Sequence, residues 1–453
     1  MSEQEKGLKK ELSARQMAMV AVGGSIGTGL LLGSGAAIQV AGPAVIVTYV
    51  LSALISWTVA MALGEMSSMH PAAGSFGVYA ELYLNRWASF VARYGYWFAV
   101  VMVVGSEVVA AGTYMQVWFP HVPIVVWMAV FGLFLVLINL FSVGDYGTFE
   151  YWFAMIKVVT IFVFIVMGAA LLFGGKVQPQ YLSSGGFVPK GWLSPLMATS
   201  FGLYSFLGIE MVAISSGEAR STADISRATR IAFAMLAFIY VGAMAVLVGV
   251  MPWQHAGVAQ SPFVTVFAVA GIPAAGFIMN LVVLTAALSG ANASLYVTSR
   301  MLFSLARSGY APQRLGSLNR HGVPMGALMT SMLGIVAAIV VQYYVPEKAY
   351  LYIINIALVG GMIAWLVSLL AHVRFRMSLS SEQLAQLTIR SPLGQVGSIL
   401  GFVAVVAAVA GTSWVSQSSI AAKSAGIYFA VLTLAYLIAE TVKRPRRATD
   451  DQM

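Results

Sequence analysis

The stretch VAVGGSIGTGLLLGSG, residues 20–35, lies inside an apolar run long enough to cross a membrane. Six of its last thirteen residues are glycine, and Ser25, Thr28 and Ser34 lie among them. Each glycine costs a helix interior about 1 kcal/mol relative to alanine, so a regular helix is disfavoured here. Close packing of neighbouring helices against small residues is one explanation. The density of glycine favours another: a helix interrupted at membrane depth, which is tolerated only where the backbone is buried in protein or lines a cavity.

The composition places the rest of the chain in a membrane as well. Of the 453 residues, 59% are hydrophobic and only 9% are charged, whereas soluble proteins need about 25% charged residues. Because apolar runs of membrane-spanning length recur from end to end, we predict an all-α integral membrane protein with twelve spans. The predicted spans are residues 16–40, 43–64, 88–117, 122–141, 150–173, 193–214, 231–251, 274–303, 325–344, 350–372, 396–414 and 424–441.

The lysines and arginines are distributed unequally between the two sides of these spans. Twenty of the 25 lie in the tails, the even-numbered loops or the adjoining span ends, and four lie on the opposite side. Positive residues stay on the cytoplasmic side, so both termini are predicted to be cytoplasmic. The net charge of +9 is then explained by orientation and by contact with anionic lipids, and it does not indicate a nucleic-acid partner.

No motif for catalysis or for a bound metal is present. The chain has no cysteine, which excludes disulfides and thiolate ligands. Its five histidines lie in loops or at span ends, without the spacing of a metal site. We therefore expect no enzyme activity, no metal and no cofactor, and no obligate protein partner is evident.

An interruption of the first span would expose backbone groups of both polarities. The N–H groups of Gly27, Thr28 and Gly29 would begin the second half-helix, where the helix dipole attracts an anion. Carbonyl groups of the first half-helix, including those of Ser25 and Ile26, would point at the same place and suit a cation. A small ligand with both charges, an α-amino acid, would satisfy both sets.

A second interruption is predicted in span 6, within SFGLYSFLGIEMVAISSGEA at 200–219. Proteins built from inverted repeats place matching broken helices in their two halves. Here Gly202 and Gly208 bracket Tyr204, Ser205 and Phe206. Since spans 1 and 6 are five apart, we predict repeats of spans 1–5 and 6–10, followed by two added helices.

Charged residues inside spans are costly and indicate function. Lys157 lies in the middle of span 5 and Glu107 in the middle of span 3. We predict that both take part in proton coupling. The alternative for the lysine is that its side chain snorkels to the membrane surface, and the alternative for the glutamate is a structural hydrogen bond to a neighbouring helix. Glu210 follows the second interruption and is predicted to stabilise it, whereas Glu65 and Glu81 flank the loop after span 2 and look interfacial.

Several motifs in order resemble one known family over residues 8 to 440. They are GGSIGTGLLLGSG followed by AGPA, LGEM with AGSF at 63–76, FEYWFAMIKVVTI at 149–161, GIEMVAISSGEA at 208–219 and LTAALSGANASLYVTSRMLFSLARSGYAP at 284–312. The chain is identified by them as a member of the amino acid transporter family, within the amino acid–polyamine–organocation superfamily. The resemblance implies a LeuT-like fold and proton-driven amino acid uptake by a bacterial permease.

The resemblance also implies residue roles. The amides of Gly27, Thr28 and Gly29 would bind the substrate carboxylate. The ammonium would be held by carbonyls near Ser25 and by those of Tyr204 and Leu207, beside Gly208, and Tyr204 or Phe206 would gate the site. Lys157 would replace the cation of sodium-coupled relatives, and Glu107 would face the substrate.

The resemblance divides the chain into four parts. Residues 1–15 and 442–453 are expected to be cytoplasmic tails, 16–372 the transporter core, and 373–441 a cytoplasmic loop with the last two spans. The expected partners are an amino acid, protons and the lipids of the bacterial cytoplasmic membrane. An exchanger without net proton flow, a channel or a substrate sensor stay open as alternatives. The sequence leaves three substrate classes open: neutral amino acids, cationic amino acids and GABA. We favour neutral amino acids.

Overall fold

In the computed structural model, residues 12–72, 75–141, 146–183, 185–319, 322–415 and 419–450 are described. Along these residues the named elements are all helices, as the sequence predicts, and one isolated β-bridge lies outside them. The helices are α1 (Ala14–Ser25), α2 (Thr28–Leu31), α3 (Gly33–Ala41), α4 (Val45–Met69), α5 (Ser75–Tyr83), α6 (Arg86–Gln116), α7 (Ile124–Phe141), α8 (Tyr146–Phe173), α9 (Ser194–Met197), α10 (Thr199–Phe206), α11 (Met211–Ile214), α12 (Thr222–Val250), α13 (Pro262–Val269), α14 (Pro273–Arg307), α15 (Met325–Ser331), α16 (Leu333–Tyr344), α17 (Ala349–Ser378), α18 (Ser381–Gln386), α19 (Gly394–Gly411) and α20 (Ser419–Asp450).

Ten helical stretches in the described residues are long and apolar enough to cross a membrane, and Ile124–Asn139 is a shorter apolar helix. The multi-pass membrane class is therefore confirmed at this level. The first of the ten, Gly33–Met69, covers 37 residues, or about 55 Å of helix, which exceeds the roughly 30 Å of hydrocarbon in a bilayer. A short 3₁₀ turn at Gly42–Ala44 divides it into α3 and α4. The predicted count of twelve exceeds ten by two. The first predicted span is broken into α1, α2 and α3, and the fourth contains Ile124–Asn139, which is shorter than the ten.

The first interruption lies between α1 and α2. Ile26 leaves helical geometry at φ −78° and ψ 88°, and Gly27 is extended at φ −133° and ψ −158°. The residues are buried, with Ile26 only 1% exposed. Irregular backbone thus occurs at the predicted place, and it is surrounded by protein, as backbone outside a helix must be at membrane depth. The Gly27 N–H donates to the Ser25 carbonyl at 3.0 Å.

The second interruption lies between α10 and α11. Helix α10 ends at Phe206, Leu207 turns out of the helix at ψ 132°, and Gly208 has φ 113°. A Cβ on Gly208 would lie 2.8 Å from the backbone nitrogen of Ser25 and 3.0 Å from the carbonyl carbon of Gly24. The two interrupted helices therefore touch, backbone against backbone, at the point where each one is broken.

The start of α1 is tied to the segment after α11. Ser13 caps α1 through a capping box with Gln16. Leu12 and Ala219 form an isolated parallel β-bridge, in which Leu12 N–H donates to the Glu218 carbonyl at 2.9 Å. These bonds hold the end of the N-terminal tail next to the segment that follows span 6. Both segments are predicted to lie on the cytoplasmic side.

Burial separates central helices from peripheral ones. The most apolar part of α6 is 83% buried, and the corresponding part of α17 is 78% buried. In Ser419–Thr441 of α20 only 11% is buried. Helix α6 packs against α14, α16 and α17, while α1 packs against α8 and α12. Both interruptions thus lie in the centre of the protein, and most of the apolar stretch of α20 is not buried by other helices.

Candidate functional site

The predicted substrate residues gather around the two interruptions. Ser25 ends α1, Ile26 and Gly27 form the gap, and Thr28 and Gly29 begin α2. In the second helix, Tyr204 and Phe206 lie in the last turn of α10, whereas Leu207 and Gly208 lie in the gap. The contact between Gly208 and Ser25 brings both groups together into one candidate site.

Glu107 occupies the place where an anion was predicted. The backbone N–H of Thr28 donates to Glu107 Oε1 at 3.1 Å. The carboxyl group is 3% exposed, and a Cβ on Gly27 would collide with Oε1. A Cβ on Gly290 of α14 would lie 3.1 Å from the carboxyl carbon, so α6, α14 and the first gap enclose the acid. The amide proposed for a substrate carboxylate is therefore bound here by a carboxyl group of the protein itself.

Lys157 lies at the other end of the first interruption. Its ammonium donates to the carbonyl of Gly23 at 3.1 Å, and the side chain is 2% exposed. A carbonyl in the last turn of a helix is a favourable partner for a cation, because the helix dipole is negative there. The gap in the first span is thus bounded by an acid on the α2 side and a base on the α1 side.

Glu210, which is predicted to stabilise the second interruption, bonds to it. The N–H of Gly208 donates to Glu210 Oε1 at 3.1 Å, and the Trp365 indole donates to Oε2 at 3.2 Å. Glu210 is 1% exposed. The carboxyl group therefore caps a freed amide of the gap and links it to α17.

The two candidate gating aromatics lie in different surroundings. The Tyr204 hydroxyl hydrogen-bonds with Ser106 Oγ of α6 at 2.9 Å, and its ring covers Gly29, where a Cβ would lie 2.9 Å away. Phe206 packs instead on Tyr240 of α12, with ring centroids 4.8 Å apart. Tyr204 contacts the predicted anion-binding amides, so its placement suits a gate better than that of Phe206.

Three further tyrosines surround the gaps and were not singled out from the sequence. Tyr350 of α17 donates to the Thr28 carbonyl at 2.7 Å. Tyr240 lies 2.7 Å from the Ser25 carbonyl and 2.8 Å from that of Ser205. Tyr49 bonds the Ser205 hydroxyl at 3.0 Å. A phenol in the middle of an apolar span is a weak sequence signal, since it indicates a buried partner without identifying it.

Several buried polar atoms around the first gap have no hydrogen-bond partner in the described part of the chain. They include Ser25 Oγ, Thr28 Oγ1, Glu107 Oε2 and, on α14, Ser289 Oγ. Buried polar atoms are nearly always hydrogen-bonded in proteins, so orphaned ones call for an explanation. Their concentration at the gap is what a polar ligand or a transferred proton would require.

A second cluster of buried charge lies away from the gaps and corrects the prediction that Glu65 is interfacial. Glu65 is fully buried at the end of α4. It accepts from Arg376 Nε and His372 Nε2 of α17, each at 2.7 Å, and from the Ser391 N–H. His372 bonds Ser398 of α19 at 2.7 Å. Glu81 does lie at the surface, 3.9 Å from Arg93, with its side chain 41% exposed.

Residues able to hold a metal ion do not gather in the described segments, where no group of three or more histidines and carboxylates meets. His321 lies outside the described residues.

Gly208→Ala is expected to disrupt the contact between the interruptions. The new Cβ would meet the backbone of Ser25 and Gly24, which cannot move aside as a side chain could. The positive φ of residue 208 would add about 1–3 kcal/mol of strain. We expect a lower temperature of thermal unfolding in detergent than for the unaltered protein. Gly426→Ala is the control, because nothing lies within 4 Å of its Cβ position; equal unfolding temperatures of both variants would contradict the prediction.

Comparison with known proteins shows what the chain is similar to. Residues 16–448 match the family model described as amino acid permease. The gamma-aminobutyric acid permease of Bacillus subtilis (strain 168) is 35% identical over 445 residues, covering 97% of this chain and 95% of the relative. The aromatic amino acid transport protein AroP of Escherichia coli (strain K12) is 38% identical over 375 residues, covering 82% of each protein.

The fold is also found among solved structures. A crystal structure of the Eremococcus coleocola manganese transporter aligns with a TM-score of 0.60 at 11% sequence identity, covering 97% of this chain and 98% of that one. At this identity the likeness concerns the fold alone.

Proposed function

Because the chain belongs to the amino acid permease family, whose members are transporters and not enzymes, we propose that it carries amino acids across the bacterial cytoplasmic membrane by proton-coupled symport. The observation that carries the proposal is the contact of two interrupted helices in the buried centre of the protein. Amide hydrogens of one half-helix and carbonyl oxygens of two others meet there. An amino acid has the complementary pair of charges.

The substrate is held head first in this proposal. Its carboxylate binds the amides of Gly27, Thr28 and Gly29, and its ammonium binds carbonyls near Ser25 and Leu207. Tyr204 covers the carboxylate side through its contact with Gly29. Ser25 Oγ and Thr28 Oγ1, which lack partners within the described residues, supply further hydrogen bonds.

Glu107 supplies a physical reason for proton coupling. Its carboxyl group already accepts the Thr28 N–H, so an incoming carboxylate meets a like charge at the same amide. Two carboxylates cannot share a buried site while both are ionised. Protonation of Glu107 removes the repulsion, and one proton then enters with the substrate. Substrate affinity should therefore rise as the pH on the loading side falls.

Lys157 is the second proton group of the proposal. Its ammonium bonds the Gly23 carbonyl and so ties α8 to the first half-helix. Loss of its proton would weaken that bond and release α1, which belongs to the moving group of spans 1, 2, 6 and 7. This group would rock against the remaining helices and expose the site to each side in turn.

The topology proposed for the membrane follows from charge. The excess of lysine and arginine in the tails and even-numbered loops supports twelve spans with both termini in the cytoplasm. The likeness to the manganese transporter over nearly the whole chain supports a LeuT-like arrangement of inverted repeats.

The substrate class proposed first is neutral amino acids. Relatives named for GABA and for aromatic amino acids both carry substrates with one carboxylate and one amino group. A cationic side chain would be the alternative if Glu107 paired with it directly.

The test is uptake by the purified protein in liposomes with an empty lumen. Radiolabelled phenylalanine, GABA and the other standard amino acids are offered with an acidic exterior and a neutral lumen. We expect accumulation above the external concentration for at least one of them, and its collapse on addition of a protonophore. Uptake that needs a preloaded amino acid and ignores the protonophore would show an exchanger instead.

A further inference from the structure

We propose that Tyr240 is a positioning residue that holds the carbonyl groups of both interrupted helices in register for the substrate ammonium. This inference rests on the proposed function, because it explains how the carbonyl groups that bind the substrate ammonium are held in place. Tyr240 lies on α12 and contributes no group to either gap.

The geometry centres on one hydroxyl group. Tyr240 Oη lies 2.7 Å from the Ser25 carbonyl, at the end of α1, and 2.8 Å from the Ser205 carbonyl, near the end of α10. The residue is fully buried. Carbonyls at the C-terminal end of a helix lack intrahelical partners and carry the negative end of the dipole. A single phenol thus joins one carbonyl near a helix end from each of the two interrupted spans.

The number of hydrogens explains why the cluster favours a cation. Tyr240 has one hydroxyl hydrogen, which is shared between two carbonyl oxygens at short distance. Each carbonyl oxygen accepts up to two hydrogen bonds. The Ser25 carbonyl also accepts the Gly27 N–H at 3.0 Å, so the acceptor position left over in the cluster lies on the Ser205 carbonyl. An ammonium group, with three donors, can supply the missing hydrogen.

The ring of Tyr240 is held by its neighbours, so the hydroxyl has little freedom. Phe206 packs at a ring distance of 4.8 Å and Tyr49 at 6.2 Å, both edge to face. Tyr49 in turn bonds the Ser205 hydroxyl at 3.0 Å. One network of hydrogen bonds and ring contacts therefore joins helices α1, α4, α10 and α12.

These four helices belong to spans 1, 2, 6 and 7, the group proposed to move together. The bonds of this network lie within the group, so rocking need not break them. Other bonds at the site do leave the group: Tyr204 reaches Ser106 of α6, and Tyr350 of α17 reaches the Thr28 carbonyl. The carbonyl groups proposed to bind the ammonium would therefore keep their relative positions during the movement, while the bonds from Tyr204 to Ser106 and from Tyr350 to Thr28 change.

The experiment compares Tyr240→Phe with Tyr181→Phe in the full-length protein. Each change deletes one tyrosine hydroxyl that donates to a backbone carbonyl, but Tyr181 bonds the Ala245 carbonyl of α12 at 3.0 Å and no gap carbonyl. KM and maximal uptake rate are measured in liposomes, with whichever of phenylalanine, GABA or the other standard amino acids the unaltered protein accumulates most. Thermal unfolding in detergent is recorded for each variant.

We expect Tyr240→Phe to raise KM about tenfold, with the maximal rate changed less than twofold. Tyr181→Phe should lower the unfolding temperature but leave KM within twofold. An unchanged KM in Tyr240→Phe, or an equal rise in both variants, would overturn the inference. Failure of the unaltered protein to accumulate any of these compounds would instead refute the proposed function.

A second variant covers the case in which Tyr240→Phe does not fold. Replacing Tyr240 with 3-fluorotyrosine keeps the ring and the hydroxyl but makes the hydroxyl a stronger donor. KM should then shift measurably from that of the unaltered protein, while the same replacement at Tyr181 leaves KM unchanged. No shift at position 240 would count against the inference.

Discussion

Lys157→Met is expected to abolish the accumulation of substrate driven by a pH gradient. The lysine is 2% exposed and donates to the Gly23 carbonyl at the end of the first half-helix. Methionine has a similar length but can neither carry a proton nor donate this bond. We expect at least a hundredfold loss of gradient-driven accumulation in liposomes, while exchange of labelled for unlabelled substrate across the same membranes is retained in part.

Two controls separate proton coupling from charge and from general damage. Lys157→Arg keeps a cation that does not lose its proton in proteins, so it should also fail to respond to the gradient. Lys176→Met changes a lysine whose side chain is exposed at the protein surface, and this variant should transport normally. Full gradient-driven accumulation by Lys157→Met would remove the lysine from the mechanism.

Glu65→Gln is expected to produce the largest loss of stability. The neutral amide would leave Arg376 and His372, which now bond to Glu65 at 2.7 Å, without their anion. Removing one member of a buried ion pair costs about 3–5 kcal/mol, because the remaining charge is left uncompensated. The loss should appear as a lower temperature of thermal unfolding in detergent at neutral pH.

Glu81→Gln provides the matched control for that measurement. Glu81 also approaches arginines, at 3.9 Å from Arg93 and 4.0 Å from Arg86, but its side chain is 41% exposed. Exposed ion pairs contribute about 0–1 kcal/mol, so this variant should unfold close to the temperature of the unaltered protein. Equal stability of the two variants would show that the Glu65 cluster contributes no more than a surface pair.

The interruptions could be predicted from sequence because their cause is local. Glycines at 23, 24, 27 and 29 weaken the first helix at the place where it breaks, and Gly208 adopts a φ of 113° that other residues rarely take. The helical class followed equally directly from long apolar runs. Both conclusions depend on neighbours along the chain.

The contacts at the site could not be predicted, because they depend on helices distant in sequence. Thr28 and Glu107 are 79 residues apart, and the Tyr240 hydroxyl reaches a carbonyl 215 residues away. Glu65 looked interfacial because its partners lie more than 300 residues further on, in α17. A single sequence shows which groups need partners in an apolar medium, but it does not identify those partners.

The bridge between Leu12 and Ala219 has a practical consequence for anyone who handles this protein. An affinity tag or fluorescent protein fused directly before residue 12 would crowd the backbone pairing that holds the start of α1. Helix α1 is 12 residues long and ends at the first interruption, so a shift of its start would also displace the interruption. The far end of α20, of whose apolar stretch only 11% is buried in the protein, is the safer point of attachment.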